Sequence, residues 1–329
     1  MKFGIFDYIE ADQRPLQQSY EERLTLVKAA EADHLSEHHA TPLSTTPSPS
    51  VFLAAAARET TRIRLGTLLF LLPLYHPLRL LEELCMLDHL SGGRLDVGVG
   101  KGISPHEFDA YGEDFAQSGE AFEHAFNVIY QGFTRDRIDY SSPRYSFKDV
   151  PVVLRPLQRP HSPFWYGLRG EHGPVFAARH GMHGVTLGPD ERVAKMIATF
   201  RGHWAAHADE RKRRKSPVQS PMVGAMRAMF VADSDARRSG SRARPTRSGS
   251  TTWLGCGRCA APSRRSRSPP TTTSRRPRAR SWSAARSASP RPSRRRPSAV
   301  GTIISCCCSP SARSATPSRC ARSSCSARR

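Results

Sequence analysis

The sequence predicts an α/β fold, a (β/α)8 TIM barrel, and three observations lead to that prediction. Short apolar runs rich in β-branched and aromatic residues alternate with longer segments of helical periodicity. Helices between consecutive strands imply right-handed crossovers and therefore a parallel sheet. Several strands end in histidine or glycine-rich segments, as in barrels whose chemistry takes place at the carboxyl ends of the strands.

The elements are assigned in chain order from this alternation. Residues 2–6 form the first strand, and the apolar spacing in 20–31 predicts the first helix. Only 33–36 remain for a second strand, which is therefore expected to be short. The later predictions are helix 51–60, strand 63–72, helix 77–90, strand 95–99, helix 122–132, a possible hairpin in 142–154, strand 164–168, helix 175–180, strand 184–187, helix 191–207 and strand 222–232.

Charge divides the chain into two parts. The whole sequence has 50 Lys and Arg against 29 Asp and Glu, a net charge of +21. Residues 237–329 contain 23 arginines and no acidic residue, so 27 basic and 29 acidic residues remain in 1–236. We therefore expect a nearly neutral barrel domain at 1–236 and a separate Arg/Ser/Pro-rich tail at 237–329.

Three interpretations of the tail remain open. It could be a disordered cationic arm or an RNA-binding arginine-serine segment. The favoured interpretation is a GC-rich coding sequence translated out of frame, because shifted codons for 245–254 and 305–312 can encode ordinary apolar protein sequence. Since the eighth strand and last helix of a barrel would fall here, the barrel is expected to be incomplete, with open strand edges.

Composition also narrows the compartment and the partners. Cys85 is the one cysteine of residues 1–236, which argues for a reducing environment rather than a disulfide scaffold. The apolar run 68–74 is interrupted by Pro73 and is much shorter than the roughly 20 residues of a membrane helix. We therefore expect a cytoplasmic protein with no membrane contact, and nucleic acid is not its expected partner.

The segment Glu37-His38-His39 follows the second strand and is the first candidate for chemistry. Imidazole titrates near neutral pH, so these histidines could act as a general base, contact a flavin or phosphate, or bind a metal. Adjacent residues at a strand end point in opposite directions, and a bland alternative is therefore one packed and one solvated histidine. The His-Glu-x-x-His spacing is missing, and no metal site is expected.

Two glycine-containing strand ends could approach a phosphate. The segment 98–102 combines three glycines with Lys101, but it lacks the Walker ending and the complete dinucleotide fingerprint. The loop 167–170 after another strand presents Arg169 and Gly170 in a comparable setting. Either segment could instead be an ordinary barrel turn.

The order of these motifs is more specific than any one of them. SEHH at 36–39, LGT at 65–67, LDHLSGGR at 87–94 and GVGKG at 98–102 closely resemble the bacterial luciferase-like flavin-dependent monooxygenase family. The resemblance covers nearly all of residues 1–236. It implies a luciferase-like TIM barrel that takes reduced FMN from a separate flavin reductase and uses O2 to oxidise a small organic substrate.

The resemblance also implies roles for individual residues. His38 resembles the family's active-site histidine beside the flavin, and Gly100 stands where luciferase itself has a reactive cysteine. Relative to the family, about four residues are missing between Glu31 and Glu37. The residues expected to contact the cofactor are Thr67 and Leu68 beneath the flavin ring, Gly100, and Lys101, Arg169 and Gly170 near the phosphate.

Other functions remain open from the sequence. A deazaflavin (F420)-dependent dehydrogenase belongs to the same superfamily as the flavin monooxygenases. A catalytically inactive barrel or a basic-tailed nucleic-acid-binding protein would be a different class. A homo-oligomer is expected if the chain folds, and no residue identifies the substrate.

Overall fold

The structure is a computed structural model that describes residues 2–10, 14–30, 32–42, 45–229 and 302–308. The interpretations of the tail at 237–301 and 309–329, and the end of the last predicted strand at 230–232, lie outside the described residues.

Eleven strands and eight α-helices are described in these ranges, and their order is that of alternating β and α units. The strands are β1 (Lys2–Asp7), β2 (Ala32–Leu35), β3 (Arg64–Thr67), β4 (Phe70–Leu71), β5 (Leu95–Gly100), β6 (Arg137–Ser141), β7 (Ser146–Pro151), β8 (Phe164–Gly167), β9 (His183–Thr186), β10 (Val223–Met229) and β11 (Thr302–Cys308). The helices are α1 (Leu16–Ala29), α2 (Pro49–Glu59), α3 (Pro77–Leu90), α4 (Pro105–Tyr111), α5 (Ser118–Thr134), α6 (His172–His180), α7 (Asp190–Ala206) and α8 (Arg211–Arg214).

Seven parallel strands form most of a closed sheet. The order β3-β2-β1 continues through β11 to β10, β9, β8 and β5, and a further pairing of β3 with β5 completes the ring. β4 follows β3 and pairs with the second half of β5. β6 and β7 form a separate antiparallel hairpin. The predicted α/β barrel is therefore confirmed.

The eighth position of the ring is filled in an unexpected way. β11 runs antiparallel to both neighbours, with Ile304 opposite Ile5 and Cys306 opposite Ala225. The last parallel unit of a regular barrel is thus replaced, as the sequence predicts. The expected open edges are wrong for the described strands, because β11 supplies hydrogen-bonding partners to both β1 and β10.

β2 has four residues and is as short as the sequence predicts, yet it pairs in register on both sides. Asp33 lies opposite Ile5 of β1, and Leu35 lies opposite Thr67 of β3. The residues that follow β2 therefore still reach the carboxyl-terminal end of the barrel.

The apolar core lies mainly between the sheet and the helices. α3, whose bounds match the predicted helix at both ends, buries Leu80, Leu81 and Leu84, and α5 buries Phe126. Each such side chain contributes about 1.5–3 kcal/mol by leaving water. A smaller cluster of Phe6, Leu68, Trp165 and Val185 fills the inside of the barrel. No helix in the described part of the chain has the length and hydropathy needed to cross a membrane.

Candidate active site

The carboxyl-terminal ends of four neighbouring strands bring the predicted site residues to one end of the barrel. His38 follows β2, and Thr67 is the last residue of β3. Lys101 follows β5 directly, and Arg169 lies two residues after β8. Because β2, β3, β5 and β8 are consecutive neighbours in the ring, residues far apart in sequence meet here.

His38 is buried and is held by a carboxylate that comes from another element. Its Nδ1 lies 2.8 Å from Oε1 of Glu107, which is in α4, and its ring stacks on Tyr8 at a centroid distance of 5.8 Å. The backbone N–H of His39 donates to the same Glu107 oxygen over 3.1 Å. Because Glu107 Oε1 already accepts a hydrogen bond from the His39 backbone N–H, it acts as an acceptor for His38 as well. We therefore assign the ring proton of His38 to Nδ1.

Glu107 itself is completely buried and carries an open hydrogen-bonding position. Its side chain is 0% exposed, and Oε2 has no hydrogen-bond partner among the described residues. Such an atom is costly unless a partner reaches it. This carboxylate is therefore a candidate to receive a proton or a hydrogen bond during binding or catalysis.

His39 belongs to a second, separate chain of hydrogen bonds. Its Nε2 lies 2.6 Å from Oε1 of Glu37, and its Nδ1 lies 2.9 Å from the Tyr111 hydroxyl. A neutral imidazole that accepts from Tyr111 and donates to Glu37 satisfies both contacts. Both histidines are buried, at 6% and 5% exposure, and the two rings contact residues of the same helix, Glu107 and Tyr111 of α4. The alternative of one solvated histidine is therefore wrong.

Glu37 fixes the loop after β2 against the strand ends. Its Oε2 accepts a hydrogen bond of 3.2 Å from the backbone N–H of Leu71. Burial raises the pKa of Glu37, although the hydrogen bond with His39 acts in the opposite direction. Burial and the nearby Glu37 carboxylate also raise the pKa of Tyr75, so this phenol stays protonated.

The floor of this end of the barrel is made by backbone at β3 and β5. The peptide bond between Leu68 and Leu69 is cis, and the Thr67 hydroxyl donates to the Gly98 carbonyl over 3.2 Å. A Cβ on Gly98 would lie 2.0 Å from the Thr67 carbonyl oxygen, and a Cβ on Gly100 would lie 2.6 Å from a methyl of Leu69. Gly98 therefore requires glycine, because the β3 backbone approaches too closely for a side chain, whereas a side chain at position 100 would require the Leu69 side chain to move.

The two predicted cations lie at the rim. Both Lys101 and Arg169 are exposed. They follow β5 and β8, two strands that are paired so that Val99 lies opposite Tyr166. Gly170 follows Arg169, and α6 starts two residues later at His172. A helix start beside exposed cations is a favourable place for a phosphate, since both present positive charge.

Sequence reasoning missed Glu107, Tyr8 and Tyr111 as members of the site. Glu107 and Tyr111 are four residues apart in α4, so they lie on one helix face, which is the face turned to His38 and His39. Nothing in the local pattern around Glu107 indicates its contact with His38, 69 residues away in sequence. In the described ranges no group of three or more His, Cys, Asp or Glu side chains has the arrangement of a metal site.

Comparison with known families gives one match over most of the chain. The family described as Luciferase-like monooxygenase matches residues 1–302. A protein of Sinorhizobium fredii, y4wF, is 38% identical over 215 residues, which cover 64% of this chain and 63% of that protein. The oxygenase component of a flavin-dependent trigonelline monooxygenase from Acinetobacter baylyi is 28% identical over 71% of this chain and 66% of its own length. The chain thus spans somewhat less than two thirds of the length of these curated relatives.

Solved structures show the same architecture. The monooxygenase RslO1 from Streptomyces bottropensis has a TM-score of 0.66 and 28% identity, covering 74% of this chain and 76% of its own. Two more distant structures share the fold alone. The oxygenating constituent of 3,6-diketocamphane monooxygenase from Pseudomonas putida, in complex with FMN, has a TM-score of 0.59 at 16% identity, covering 73% of this chain and 71% of its own. The coenzyme F420-dependent tetrahydromethanopterin reductase from Methanopyrus kandleri has a TM-score of 0.52 at 20% identity, covering 64% of this chain and 62% of its own.

Proposed function

Since the chain belongs to the luciferase-like monooxygenase family, we propose that it is a flavin-dependent monooxygenase that uses reduced FMN and O2 to oxidise a small organic substrate. The observation that carries the proposal is the buried His38–Glu107 pair at the end of β2, next to the strand ends that hold the predicted cofactor residues. Similarity to the flavin-dependent trigonelline monooxygenase and to the monooxygenase RslO1 supports the same class of reaction.

The residues present fit a flavin. Gly98 lies against the Thr67 carbonyl and Gly100 against the Leu69 side chain, and Leu68 and Leu69 supply apolar groups suited to a flat ring. Lys101, Arg169 and the backbone at Gly170 would hold the phosphate at the rim, and Thr67 and Leu68 would lie beneath the ring. When bound, reduced FMN supplies the electrons for O2 activation.

The residues of this chain then have separate tasks. His38, with Nδ1–H fixed on Glu107, can accept or release a proton at its other ring nitrogen. Glu107 orients the His38 ring through this contact of 2.8 Å. Glu37 and His39 hold the loop in place, and the burial of all four side chains excludes water from this part of the site.

The substrate is proposed to be a small organic molecule with an apolar part. Ile103, Tyr111 and Leu187 are large apolar or aromatic side chains exposed at this same end of the barrel. Exposed apolar groups beside a site favour contact with an apolar ligand. Reduced FMN would come from a separate flavin reductase, in line with the relative that is named an oxygenase component. A homo-oligomer and a cytoplasmic location remain part of the proposal.

The alternative is a dehydrogenase that uses the deazaflavin F420, which the shared fold of an F420-dependent reductase keeps open. Titration of the full chain with FMN and with F420, monitored by the fluorescence of each cofactor, distinguishes the monooxygenase from the dehydrogenase. We expect FMN to bind, and Lys101→Ala or Arg169→Ala to weaken it about ten-fold, because each removes a charge-assisted phosphate contact. Lys195→Ala removes an exposed lysine of α7 and serves as the matched control.

Activity is tested with chemically reduced FMN and O2 in the absence of a reductase. Wild type is expected to oxidise a substrate drawn from a panel of small organic molecules, whereas His38→Asn should do so about 100-fold more slowly. Binding of F420 but not FMN, or equal turnover by His38→Asn and wild type, would contradict the proposed function.

A further inference from the structure

Two adjoining cavities lie at the amino-terminal end of the barrel, opposite the candidate active site. One has a volume of about 660 Å³ and lies away from the strand starts, and we call it the outer cavity; the other has a volume of about 410 Å³ and lies against the strand starts, and we call it the inner cavity. Arg64 and His183, the first residues of β3 and β9, line the inner cavity, which places it at the strand starts. Both cavities share Arg159, Pro217 and Gln219 and therefore adjoin.

The outer cavity has a strongly positive wall. Four cations line it, Arg155, Arg159, Arg214 and Lys215, and no Asp or Glu is among its lining residues. Arg155 pairs with Asp136. Arg159, Arg214 and Lys215 are exposed and form no ion pair with any described residue. A cleft lined by one sign of charge concentrates ligands of the other sign, so this cavity favours an anion.

The inner cavity offers a buried hydrogen-bond acceptor. His161 lines it and is 1% exposed, and its ring stacks on Phe133 at a centroid distance of 5.9 Å. Nδ1 donates to the Ser162 carbonyl over 2.7 Å, which leaves Nε2 as an acceptor. Burial lowers the pKa of His161, so the imidazole stays neutral. Nε2 has no hydrogen-bond partner among the described residues.

We propose that these cavities bind an organic phosphate of the nucleoside phosphate class. The phosphate groups lie against Arg159, Arg214 and Lys215, and the organic part enters the inner cavity and donates a hydrogen bond to Nε2 of His161. Val218 and Met222 supply apolar contact there. This site is separate from the FMN site and requires no chemical step.

Size and chemistry favour an organic phosphate over inorganic phosphate. Small-molecule sites have volumes of about 300–1,000 Å³, and each cavity falls within that range. Inorganic phosphate would occupy only part of the outer cavity and would leave His161 without a donor, which costs free energy in a buried setting. A ligand that combines phosphate with N–H or O–H groups satisfies both cavities.

The test is calorimetric titration of the full chain with ADP, adenosine and pyrophosphate as probes. We expect ADP to bind more tightly than either fragment, and Arg214→Ala/Lys215→Ala to weaken ADP binding by about ten-fold or more. Arg211→Ala removes an exposed cation of the same helix α8 that does not line the cavity, and it should change the affinity less than about two-fold.

Two further variants locate the organic part. His161→Phe keeps a ring but removes the acceptor, and it should weaken ADP and adenosine while leaving pyrophosphate unchanged. His161→Gln keeps an acceptor and should retain much of the ADP affinity, and melting temperatures without ligand show whether each variant is folded. ADP binding should survive Lys101→Ala/Arg169→Ala. No ADP binding, equal losses in Arg211→Ala and Arg214→Ala/Lys215→Ala, or competition by FMN would overturn the proposal.

Discussion

Each end of the barrel has a buried histidine next to a buried carboxylate, but the neighbours of the two pairs differ. At the carboxyl-terminal end, Glu107 lies 2.8 Å from His38, and at the amino-terminal end Asp96 lies 3.6 Å from His34. Both carboxylates are 1% exposed or less, and both histidines come from the β2 segment. The difference is that Arg64 also contacts Asp96 over 2.7 Å, whereas no Lys or Arg in the described residues pairs with Glu107.

The neighbours decide what each carboxylate can do. Burial acts to raise the pKa of Asp96, but His34 and Arg64 outweigh it and hold the pKa at about 2. Because a guanidinium never loses its proton in this range, Asp96 keeps a fixed charge and acts as a structural anchor. Among the described contacts of Glu107 are the His38 imidazole and the His39 backbone N–H, and no guanidinium pairs with it. The permanent cation thus lies at the end opposite the candidate active site.

The largest effect is expected for Glu107→Gln. Gln replaces the carboxylate that holds Nδ1–H of His38 and the His39 backbone N–H, so turnover with reduced FMN should fall about 100-fold, and the changed hydrogen bonds should lower the free energy of unfolding by about 1–3 kcal/mol. Steady-state kinetics and urea unfolding measure the two effects. Asp109→Asn, an exposed position on the same helix α4, is the control. If both variants turn over like wild type, the role of Glu107 in orienting His38 is wrong.

A second prediction concerns pH and Asp33, a buried carboxyl for which the nearby Arg23 does not outweigh burial. Burial, with the nearby Asp7 adding to it, raises the pKa of Asp33 to about 8. The folded state therefore binds a proton that the unfolded state releases near pH 3.8. The resulting stability is fully present below about pH 4 and is lost as pH rises towards 8, with a slope of at most about 1.4 kcal/mol per pH unit.

Asp33→Asn cannot ionise and should remove most of this pH dependence. Urea unfolding at pH 5 and pH 8 is expected to show a smaller difference for the variant than for wild type. Equal differences in the two proteins would mean that Asp33 is not the group that titrates.

The third prediction breaks the anchor at the amino-terminal end. Arg64→Met leaves Asp96 buried without its permanent cation, which should raise the pKa of Asp96 and lower the free energy of unfolding by about 2 kcal/mol, allowing for the partial exposure of Arg64. FMN affinity should stay within about two-fold, because the opposite end is unchanged. NMR titration of the Asp96 carboxyl measures the first effect, and a large change in FMN affinity would show that the ends are coupled.

The smallest effect is expected for an exposed ion pair. Arg79 and Glu83 lie 3.1 Å apart on α3, and the Arg79 side chain is 76% exposed. Arg79→Ala should change the free energy of unfolding by at most about 0.5 kcal/mol. If Arg79→Ala lowered the free energy of unfolding as much as Arg64→Met, burial and neighbouring groups would not determine how much each charge contributes to stability.

Much of the fold follows from local pattern, and particular elements show where the pattern is sufficient. α3 begins and ends where the apolar spacing and Pro77 predict, because a proline start and an apolar helical face are local signals. The predicted strand 63–72 instead divides into β3 and β4 around the cis bond at Leu68–Leu69. Its continuous apolar run contains no local sign of that break.

The sequence by itself determined most of the order of strands and helices, although not α4, α8 or β11, and it determined that β2 is short. The segments that could contact a flavin stay a prediction. The hydrophobic period and the positions of glycines are local properties of the sequence, so they can be recognised without knowledge of tertiary contacts. Only the tertiary structure decided that Glu107 reaches His38, that both histidines are buried, that β11 lies between β1 and β10, and that unpaired cations line a cavity at the far end. These are contacts between distant residues, and ring closure of the sheet brings them together.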